Sequence, residues 1–242
     1  MLLEFGARSP VVDDAAGQCR GSLAAGLGTS TRRVRGEQIE CVQVRLSPLI
    51  AGAVLSASPA ELTDAVVHLD DLWGQEAARI REQLAETPSW TERFALIEVL
   101  LARRCVAEPS AEPEVIWAWR RIRAGRGLVR IDGLADEVGW SRKRLWSRFR
   151  AQFGVPPKRA ATLVRFDRAV HGLAAGADPA RVAADNGYAD QSHLHRDIVA
   201  FTGVTPAAVA GESWLAVDDI AWPGTSRRAA SPAFDESTRP PG

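Results

Sequence analysis

The chain has 242 residues, of which 46% are hydrophobic and 25% are charged. This is an ordinary globular composition, which excludes disorder of the whole chain and allows one large domain or two small ones. The 30 basic side chains balance the 30 acidic ones, but they are distributed unevenly. Residues 1–110 hold 11 basic and 15 acidic side chains, whereas residues 111–212 hold 16 basic and 11 acidic ones. The second half is therefore the better candidate for binding a polyanion.

The cysteines are odd in number and far apart, at Cys19, Cys41 and Cys105. They form no metal-ligand spacing, so the sequence predicts a reducing cytoplasm, no metal site and no cofactor. The first ten residues, "MLLEFGARSP", contain an acid and an arginine where a secretory leader needs an uninterrupted apolar core. The apolar run that begins at Leu46 is too short to cross a bilayer, so we expect no membrane anchor.

The N-terminal region, residues 1–107, is expected to be a small α+β unit. Its run "CVQVRL" alternates apolar and polar residues, which predicts one strand, or two to three strands in the whole region, with Val42 facing inward. From Pro59 the pattern changes to that of a helix opened by a serine cap and stopped by Gly74.

Two more helices are predicted in this region. The first covers Gln75 to Glu86. The second begins after Ser89, which forms a capping box with Glu92 three residues later. Its apolar stripe is predicted at Phe94, Ile97 and Leu101. Such helices either pair two protomers or pack within their own chain, and the second arrangement is the commoner one.

The rest of the chain is predicted to be helical apart from a linker and a tail. Residues 108–113 are rich in proline and acid and are interpreted as the linker. The segment "PEVIWAWRRIRAG" that begins at Pro113 is predicted to be helical, and the domain predicted at residues 114–212 contains five more short helical patterns after Ile131. Residues 213–242 have mostly the composition of a disordered end. The predicted fold class is therefore mainly α.

Residues 134–157, "LADEVGWSRKRLWSRFRAQFGVPP", and residues 182–206, "VAADNGYADQSHLHRDIVAFTGVTP", are two copies of one pattern. Each copy has a short helix, a turn of glycine and an aromatic residue, a capped second helix and a Gly-Val end. One extra turn residue in the second copy makes Leu145 correspond to Leu194. This repeat is typical of helix-turn-helix motifs, and we call the second helix of each copy its reading helix.

The histidines His193 and His195 would share one face on a strand and could hold a metal ion there. The repeat instead predicts a helix with Leu194, Ile198 and Phe201 as its buried stripe. On a helix the two histidines diverge by about 200°. We therefore expect no metal site, with His193 on a solvated flank and His195 facing outward.

The outward faces of the two reading helices are the candidate binding surface. An exposed tryptophan at position 146 in a basic helix needs a cover, which DNA or a partner surface would supply, whereas the alternative is packing against a neighbouring helix. Residues 139–168 contain nine basic side chains and one acidic one, which favours phosphate contact. The face residues are Lys143, Trp146 and Ser147 in the first copy and Ser192, His195 and Arg196 in the second.

The segment "PKRAATLVRFDRAVHGLAAG" between the copies is predicted to be a long connecting helix, broken at Gly172 or stopped near Gly176. A rigid connector would hold the reading helices about 34 Å apart, which is one turn of DNA, so that one chain enters two successive major grooves. The alternative is a plain helical bundle whose repeat is only structural. That alternative leaves the basic excess and the turn residues unexplained.

Residues from about Ile131 to Val209 resemble the AraC/XylS family of bacterial transcription regulators, whose DNA-binding unit has two helix-turn-helix motifs joined by a long helix. The second copy is similar to the family signature of Ile-Ala, Gly-Phe or Gly-Tyr, Ser-x-Phe or His-Leu, then Arg and Gly-x-Thr-Pro. It departs from the family at Asp197-Ile198-Val199, where an aromatic and a basic residue are usual. The departure implies weak affinity at the second half-site.

The N-terminal region resembles the part of actinobacterial members of this family that follows a cupin-like sensing barrel. Fewer than about 50 residues precede the helices, and a complete small barrel needs more strands than these supply. The resemblance therefore implies a shortened cupin-like region, and binding of a small-molecule effector stays open.

Carried over position by position, the resemblance implies contacts to base edges from both reading helices and contacts to phosphate at their ends. Arg196 would donate two hydrogen bonds to a guanine edge. The implied DNA-binding residues are Ser141, Arg142, Lys143, Trp146, Ser147, Arg150, Gln191, Ser192, His195 and Arg196.

The leading functional hypothesis is a sequence-specific regulator that binds double-stranded DNA, with contact to RNA polymerase and homodimerisation left open. An enzyme is disfavoured because the sequence has no glycine-rich phosphate loop and no Gly-x-Ser-x-Gly motif, and its neighbouring acids Asp70 and Asp71 point about 100° apart on a helix. The remaining alternative is an interaction protein that keeps the fold and acts through mixed dimers without reading DNA.

Overall fold

The computed structural model describes residues 1–14, 17–28, 33–105 and 111–210. In this part of the chain most residues are helical, and the strands all lie before residue 69. The strands are β1 (Leu2–Glu4), β2 (Val11–Asp14), β3 (Gly17–Arg20), β4 (Leu23–Ala25), β5 (Arg33–Arg35), β6 (Cys41–Gln43) and β7 (Val66–His68). The helices are α1 (Pro48–Leu55), α2 (Leu69–Trp73), α3 (Gln75–Glu86), α4 (Trp90–Arg104), α5 (Pro113–Ala124), α6 (Ile131–Glu137), α7 (Arg142–Phe153), α8 (Pro157–Ala174), α9 (Pro179–Asp185), α10 (Gln191–Thr202) and α11 (Pro206–Ala210).

The strands form two small antiparallel sheets, with strand orders β6-β1-β4-β7 and β3-β2-β5. The prediction of one to three strands was too low, because strands of three or four residues are too short to show an alternating pattern. The predicted alternation in "CVQVRL" is present: Val42 is buried and Gln43 is exposed.

The predicted helix from Pro59 to Trp73 is wrong in its first half. Ser58 does begin a helical turn, since its N–H donates to the Glu61 carboxylate at 2.9 Å. The turn ends at Asp64, where φ is +56°, and β7 then pairs with β4. The valines at 66 and 67 explain the change, because β-branched side chains favour a paired strand over a helix interior. Gly74, with φ of +57°, ends α2 as predicted.

Helix α4 has the predicted capping box, but its buried side differs from the predicted stripe. The Ser89 hydroxyl accepts the N–H of Glu92 at 3.2 Å and donates to the Glu92 carboxylate at 2.8 Å. Ile97 and Leu100 are buried, whereas Phe94 is 50% exposed. Phe94 packs beside Trp90 on the outer surface, with 5.9 Å between ring centroids. The N-terminal core thus buries only part of the predicted apolar stripe of α4, and Phe94 lies outside it.

Three hydrophobic clusters are found among the described residues. The first lies in the N-terminal region between the four-stranded sheet and α1 to α4. The second contains α5, α6, α7 and the beginning of α8, and the N-terminal residues Leu27 and Leu49 pack against it. The third contains the end of α8 with α9, α10 and α11. Helix α8 therefore contributes to both of the later clusters and connects them.

Of the two predictions for α8, the stop near Gly176 is correct. The helix continues through Gly172 and ends at Ala174, and Gly176 has φ of +77°. A Cβ on Gly172 would lie 3.3 Å from the side chain of Val182. Glycine therefore allows α9 to approach the connecting helix closely.

No helix among the described residues is long and apolar enough to span a membrane. The predicted linker lies partly, and the predicted disordered tail wholly, outside the described residues.

The burial of α10 predicts a sharp difference between two neighbouring positions. Ile198 is fully buried, so Ile198→Ala is expected to lower the free energy of unfolding by about 2–5 kcal/mol. Val199 is 39% exposed, so Val199→Ala should change it by no more than about 0.5 kcal/mol. Urea unfolding of both variants measures the difference. Equal losses would show that α10 does not bury the side assigned to it.

Candidate nucleic-acid interface

The two copies of the sequence repeat fold into two similar helix pairs, α6 with α7 and α9 with α10. In both turns a glycine has positive φ, +67° at Gly139 and +66° at Gly187. The next residue closes the turn through the same backbone bond in each copy. The N–H of Trp140 donates to Ala135 at 3.0 Å, and that of Tyr188 donates to Ala183 at 2.9 Å.

Each reading helix begins at the predicted cap. The hydroxyl of Ser141 accepts the N–H of Arg144 at 3.2 Å, and the carboxylate of Asp190 accepts the N–H of His193 at 2.6 Å. These bonds satisfy backbone donors that the first helical turn leaves unpaired. Both helices end at a glycine with positive φ, as the repeat predicts.

The apolar side of each reading helix is buried at equivalent positions. Leu145 and Phe149 are buried in the first copy, and Leu194 and Ile198 are buried in the second. Ile198 thus has the same buried position in the second copy that Phe149 has in the first. The departure from the family pattern at Ile198 therefore lies in the protein interior. Phe201, the third residue of the predicted stripe, is half-buried.

The ten residues implied as DNA-binding are all exposed. Trp146 is 44% exposed, so the structure does not show the alternative in which it packs inside the chain. The reading helices therefore each have one buried and one exposed side. The ten residues are Ser141, Arg142, Lys143, Trp146, Ser147, Arg150, Gln191, Ser192, His195 and Arg196.

His193 does not lie on a solvated flank as predicted. It is half-buried, and its ring meets the ring of Tyr188 edge-on at 5.3 Å between centroids. Its Nδ1 accepts the N–H of Ala189 at 3.4 Å. The turn residue Tyr188 provides this contact, which helical spacing alone does not reveal. His195 is exposed, and the two histidines lie on a helix, where their directions diverge.

Among the described residues there is no group of three or more histidine, cysteine, aspartate or glutamate side chains that could hold a metal ion.

Part of the predicted basic excess is engaged within the protein. These contacts compete with phosphate for the basic side chains that they involve. They are Arg142 with Asp132 at 3.1 Å, Arg148 with Glu112 at 2.7 Å, Arg165 with Asp197 at 3.5 Å, Arg144 over the Trp140 ring at 4.3 Å, and Arg159 over the Phe201 ring at 4.2 Å. Burial also lowers the pKa of the guanidinium groups of Arg159 and Arg168.

The exposed face of α7 forms one side of an open groove whose other side is the N-terminal turn at residues 58–64. Ala60 and Thr63 of this turn line the groove together with Lys143, Trp146, Ser147 and Arg150. The turn touches the end of α7 at Gly154, where an added Cβ would lie 1.8 Å from the Thr63 hydroxyl. Nothing in the sequence pattern indicates this contact, because the residues are far apart in the chain.

A second feature that the sequence pattern does not indicate is the contact between α7 and the beginning of α5. Glu112 precedes α5, and its backbone N–H donates to the Gln152 side-chain oxygen at 2.8 Å. Its carboxylate accepts from Arg148 at 2.7 Å. The hydrogen bond from Arg148 is the main cause that lowers the pKa of Glu112 below its ordinary value. The α7 side chains at 148 and 152 are thus held by one residue.

Comparison with known protein families matches residues 134–211 to the family model of a helix-turn-helix domain. The matched domain is of the AraC type, and at the level of the family it supports a DNA-binding transcription regulator. The matched range begins within α6 and includes all of α7 to α11. Comparison with curated proteins gives no match, and comparison with solved structures gives none either.

The contact at Glu112 predicts a pH-dependent contribution to stability. Because its pKa is lowered in the folded state, the carboxylate stabilises the fold above its ordinary pKa of 4.5, and this contribution is lost as the pH falls through the lowered value. Glu112→Gln should therefore melt below the unsubstituted chain at neutral pH, and the gap should narrow in acid. Thermal unfolding across this pH range measures it.

Glu114→Gln, which removes a carboxylate from the same helical turn, is the matched control. A gap for Glu112→Gln that stayed constant with pH would show that the side-chain amide of Gln152, and not the charge of Arg148, gives Glu112 its effect.

Proposed function

We propose that both helix pairs act as helix-turn-helix motifs and that α7 and α10 enter successive major grooves of a promoter. One chain would then read two short DNA motifs about 34 Å apart, one turn of the double helix. Occupation of the promoter would change transcription either through contact with RNA polymerase or by excluding it. The proposal places this protein in the cytoplasm and requires no catalysis by any residue.

The observation that carries the proposal is the one-sided exposure of the reading helices. The large apolar residues Leu145, Phe149, Leu194 and Ile198 are buried on one side. On the other side polar and basic residues are exposed, and in α7 they surround the exposed Trp146. A surface of this composition suits the major groove, where base edges offer hydrogen-bond partners and the thymine methyl group offers an apolar one.

In the second reading helix, Arg196 is proposed to read a guanine. Its Nε donates to the Ser192 carbonyl at 3.4 Å, and a bidentate contact to guanine uses the terminal nitrogens. Gln191, Ser192 and His195 lie on the same exposed part of the helix and would contact neighbouring bases.

In the first reading helix, base contacts are proposed for Lys143, Trp146 and Ser147, with Arg150 beside them. Arg150 lies 5.8 Å from the centre of the Trp146 ring. Ser141 and Arg142 at the helix beginning are proposed to bind phosphate, where backbone N–H groups and the helix dipole favour an anion.

The second candidate function is an interaction protein that acts through mixed dimers. It is favoured by the outer surface at the beginning of α4, where Trp90 and Phe94 pack beside each other and are each about half-exposed. Exposed apolar side chains on one helix are typical of a partner surface when they form a patch. The two candidates differ in what binds to the reading helices, so DNA selection separates them. Effector binding and homodimerisation are compatible with both.

The test is selection from a random duplex library by the purified full-length chain at about 150 mM salt, which approximates physiological ionic strength. The expected result is enrichment of two short motifs about one helical turn apart. A salt titration on the winning duplex then separates phosphate contacts, which are salt-dependent, from base contacts. Weak binding without sequence preference would contradict the proposal and favour the interaction protein.

For the selected duplex, Arg196→Ala is expected to cost about 1–3 kcal/mol at one base pair and to relax the preference there. The matched control is Arg181→Ala, which removes an exposed arginine from α9 of the same helix pair. The control should weaken binding to all duplexes alike, if at all. Competition binding with each base pair of the site substituted in turn measures both effects.

If Arg196→Ala weakened binding equally to every duplex, Arg196 would be a phosphate contact and the base-reading role would be wrong. If it changed nothing while Phe94→Ser and Trp90→Ser abolished regulation in cells, the interaction protein would be the better description.

A further inference from the structure

Arg148 and Asp197 occupy the same position in the two reading helices. Each directly precedes a buried core residue, Phe149 in the first helix and Ile198 in the second. Each also makes an ion pair with another helix of its half of the domain, Arg148 with the N-cap of α5 and Asp197 with α8. Arg148 Nε lies 2.7 Å from the Glu112 carboxylate, and Arg165 Nη2 of α8 lies 3.5 Å from the Asp197 carboxylate. The position is thus paired in both copies, with the charges reversed.

The second ion pair lies within a set of contacts between α8 and α10. The side chains of Arg165 and Asp197 are only 21% and 25% exposed. The guanidinium of Arg165 also covers the Tyr188 ring, 4.6 Å from its centre. Tyr188 is buried and touches His193 in the first turn of α10. One arginine of the connector therefore contacts the turn before α10 as well as the middle of the helix.

The far end of α10 is held by aromatic contacts to the same connector. The Phe201 ring stacks on that of Phe166 with 4.4 Å between centroids, and Arg159 covers its ring at 4.2 Å. The turn before the reading helix, its middle and its end therefore each contact α8.

These contacts differ in what they fix. Apolar burial of Leu194 and Ile198 determines which side of α10 faces the core. Hydrophobic contact is non-directional, however, and does not by itself set the exact rotation of the helix about its axis. An ion pair with a defined donor and acceptor is directional. Asp197 follows Arg196 directly, and successive residues lie 100° apart on a helix. The direction of Asp197 toward Arg165 therefore sets the direction of Arg196 toward the solvent side.

We propose that Asp197 and Arg165 are positioning residues that set the rotation of the second reading helix and so determine how well its motif is discriminated. This inference rests on the proposed function, since it assigns to the pair a role in the same DNA-reading site. Arg148 and Glu112 have the corresponding role for the first reading helix.

The charge of Asp197 makes the inference testable by the sign of an effect. A carboxylate near DNA repels phosphate, so its removal by itself strengthens binding to any duplex. If Asp197 had only this electrostatic effect, Asp197→Asn would bind all DNA more tightly. A positioning role requires that the variant loses discrimination at the second motif in spite of the gain in charge.

The experiment uses the full chain and three duplexes: the duplex selected from the library, and two versions with the first or the second motif scrambled. Discrimination at a motif is the ratio of the Kd for the version scrambled there to the Kd for the selected duplex. The matched control is Asp185→Asn, which removes an exposed carboxylate from α9 of the same helix pair. Both variants remove one negative charge, and only Asp197→Asn breaks the ion pair with Arg165.

For Asp197→Asn, discrimination at the second motif is expected to fall by about fivefold or more, as when one base contact is misplaced. Discrimination at the first motif should be unchanged, which also shows that the chain is folded. The salt dependence should not weaken, because no phosphate contact is lost. Asp185→Asn should leave discrimination at both motifs unchanged.

Two further variants test the pair itself. Asp197→Glu keeps the charge and reaches Arg165, so it should restore most of the discrimination. Asp197→Arg should lose it, and the exchange of charges in Asp197→Arg with Arg165→Asp should recover part of it. This recovery distinguishes a directional contact from a general loss of stability.

If the unsubstituted chain selects two motifs and Asp197→Asn behaves like Asp185→Asn, the positioning role is overturned and the proposed function stands. Equal loss at both motifs would also overturn it, because the role would then be structural. If the unsubstituted chain selects no sequence, the proposed function fails and the positioning role fails with it.

Discussion

Burial of one side of each reading helix is the constraint on which the candidate interface depends. A pair of large apolar residues one turn apart, Leu145 with Phe149 and Leu194 with Ile198, fixes which side of each helix lies against the core. The residues on the other side of each helix are thereby exposed. Since core positions tolerate little change in volume, the direction of the exposed side is more strongly constrained than the identity of the residues on it.

The connecting helix α8 extends this constraint to the relation between the two copies. Its first half lies in one hydrophobic cluster and its second half in the next, and it is continuous through Gly172. The N-terminal region is attached to this helix as well, because Arg45 forms an ion pair with Asp167. A displacement of α8 would consequently be felt in both helix pairs and in the region before them.

The sequence was sufficient where the signal is local. Ser89, Ser141 and Asp190 begin helices because a short polar side chain bonds the N–H groups that follow it. Gly154 and Gly203 end helices because they accept positive φ. These caps and the 49-residue repeat were enough to place both reading helices and to find the exposed side of each.

The predictions from sequence were wrong where contacts between residues far apart in the chain determine the structure. Val66 and Val67 belong to a strand and not to the predicted helix, because they pair with β4. His193 is half-buried, and its ring packs edge-on against that of Tyr188 in the turn. The ion pairs of Arg148 and Asp197 join residues more than 30 positions apart. Alignment of the two copies places these opposite charges at one position, so this signal is present in the sequence.

The opposite charges at that position also bear on how a duplicated chain avoids folding incorrectly. Tandem copies of one motif can exchange elements during folding, because each helix resembles the one that belongs in the other copy. If α7 were to occupy the place of α10, Arg148 would meet Arg165, and in the opposite exchange Asp197 would meet Glu112. Both exchanges bring like charges together, in the first case at the partly buried Arg165, which is unfavourable. The reversal of charge therefore favours the packing of each reading helix in its own half of the domain over its packing in the other half.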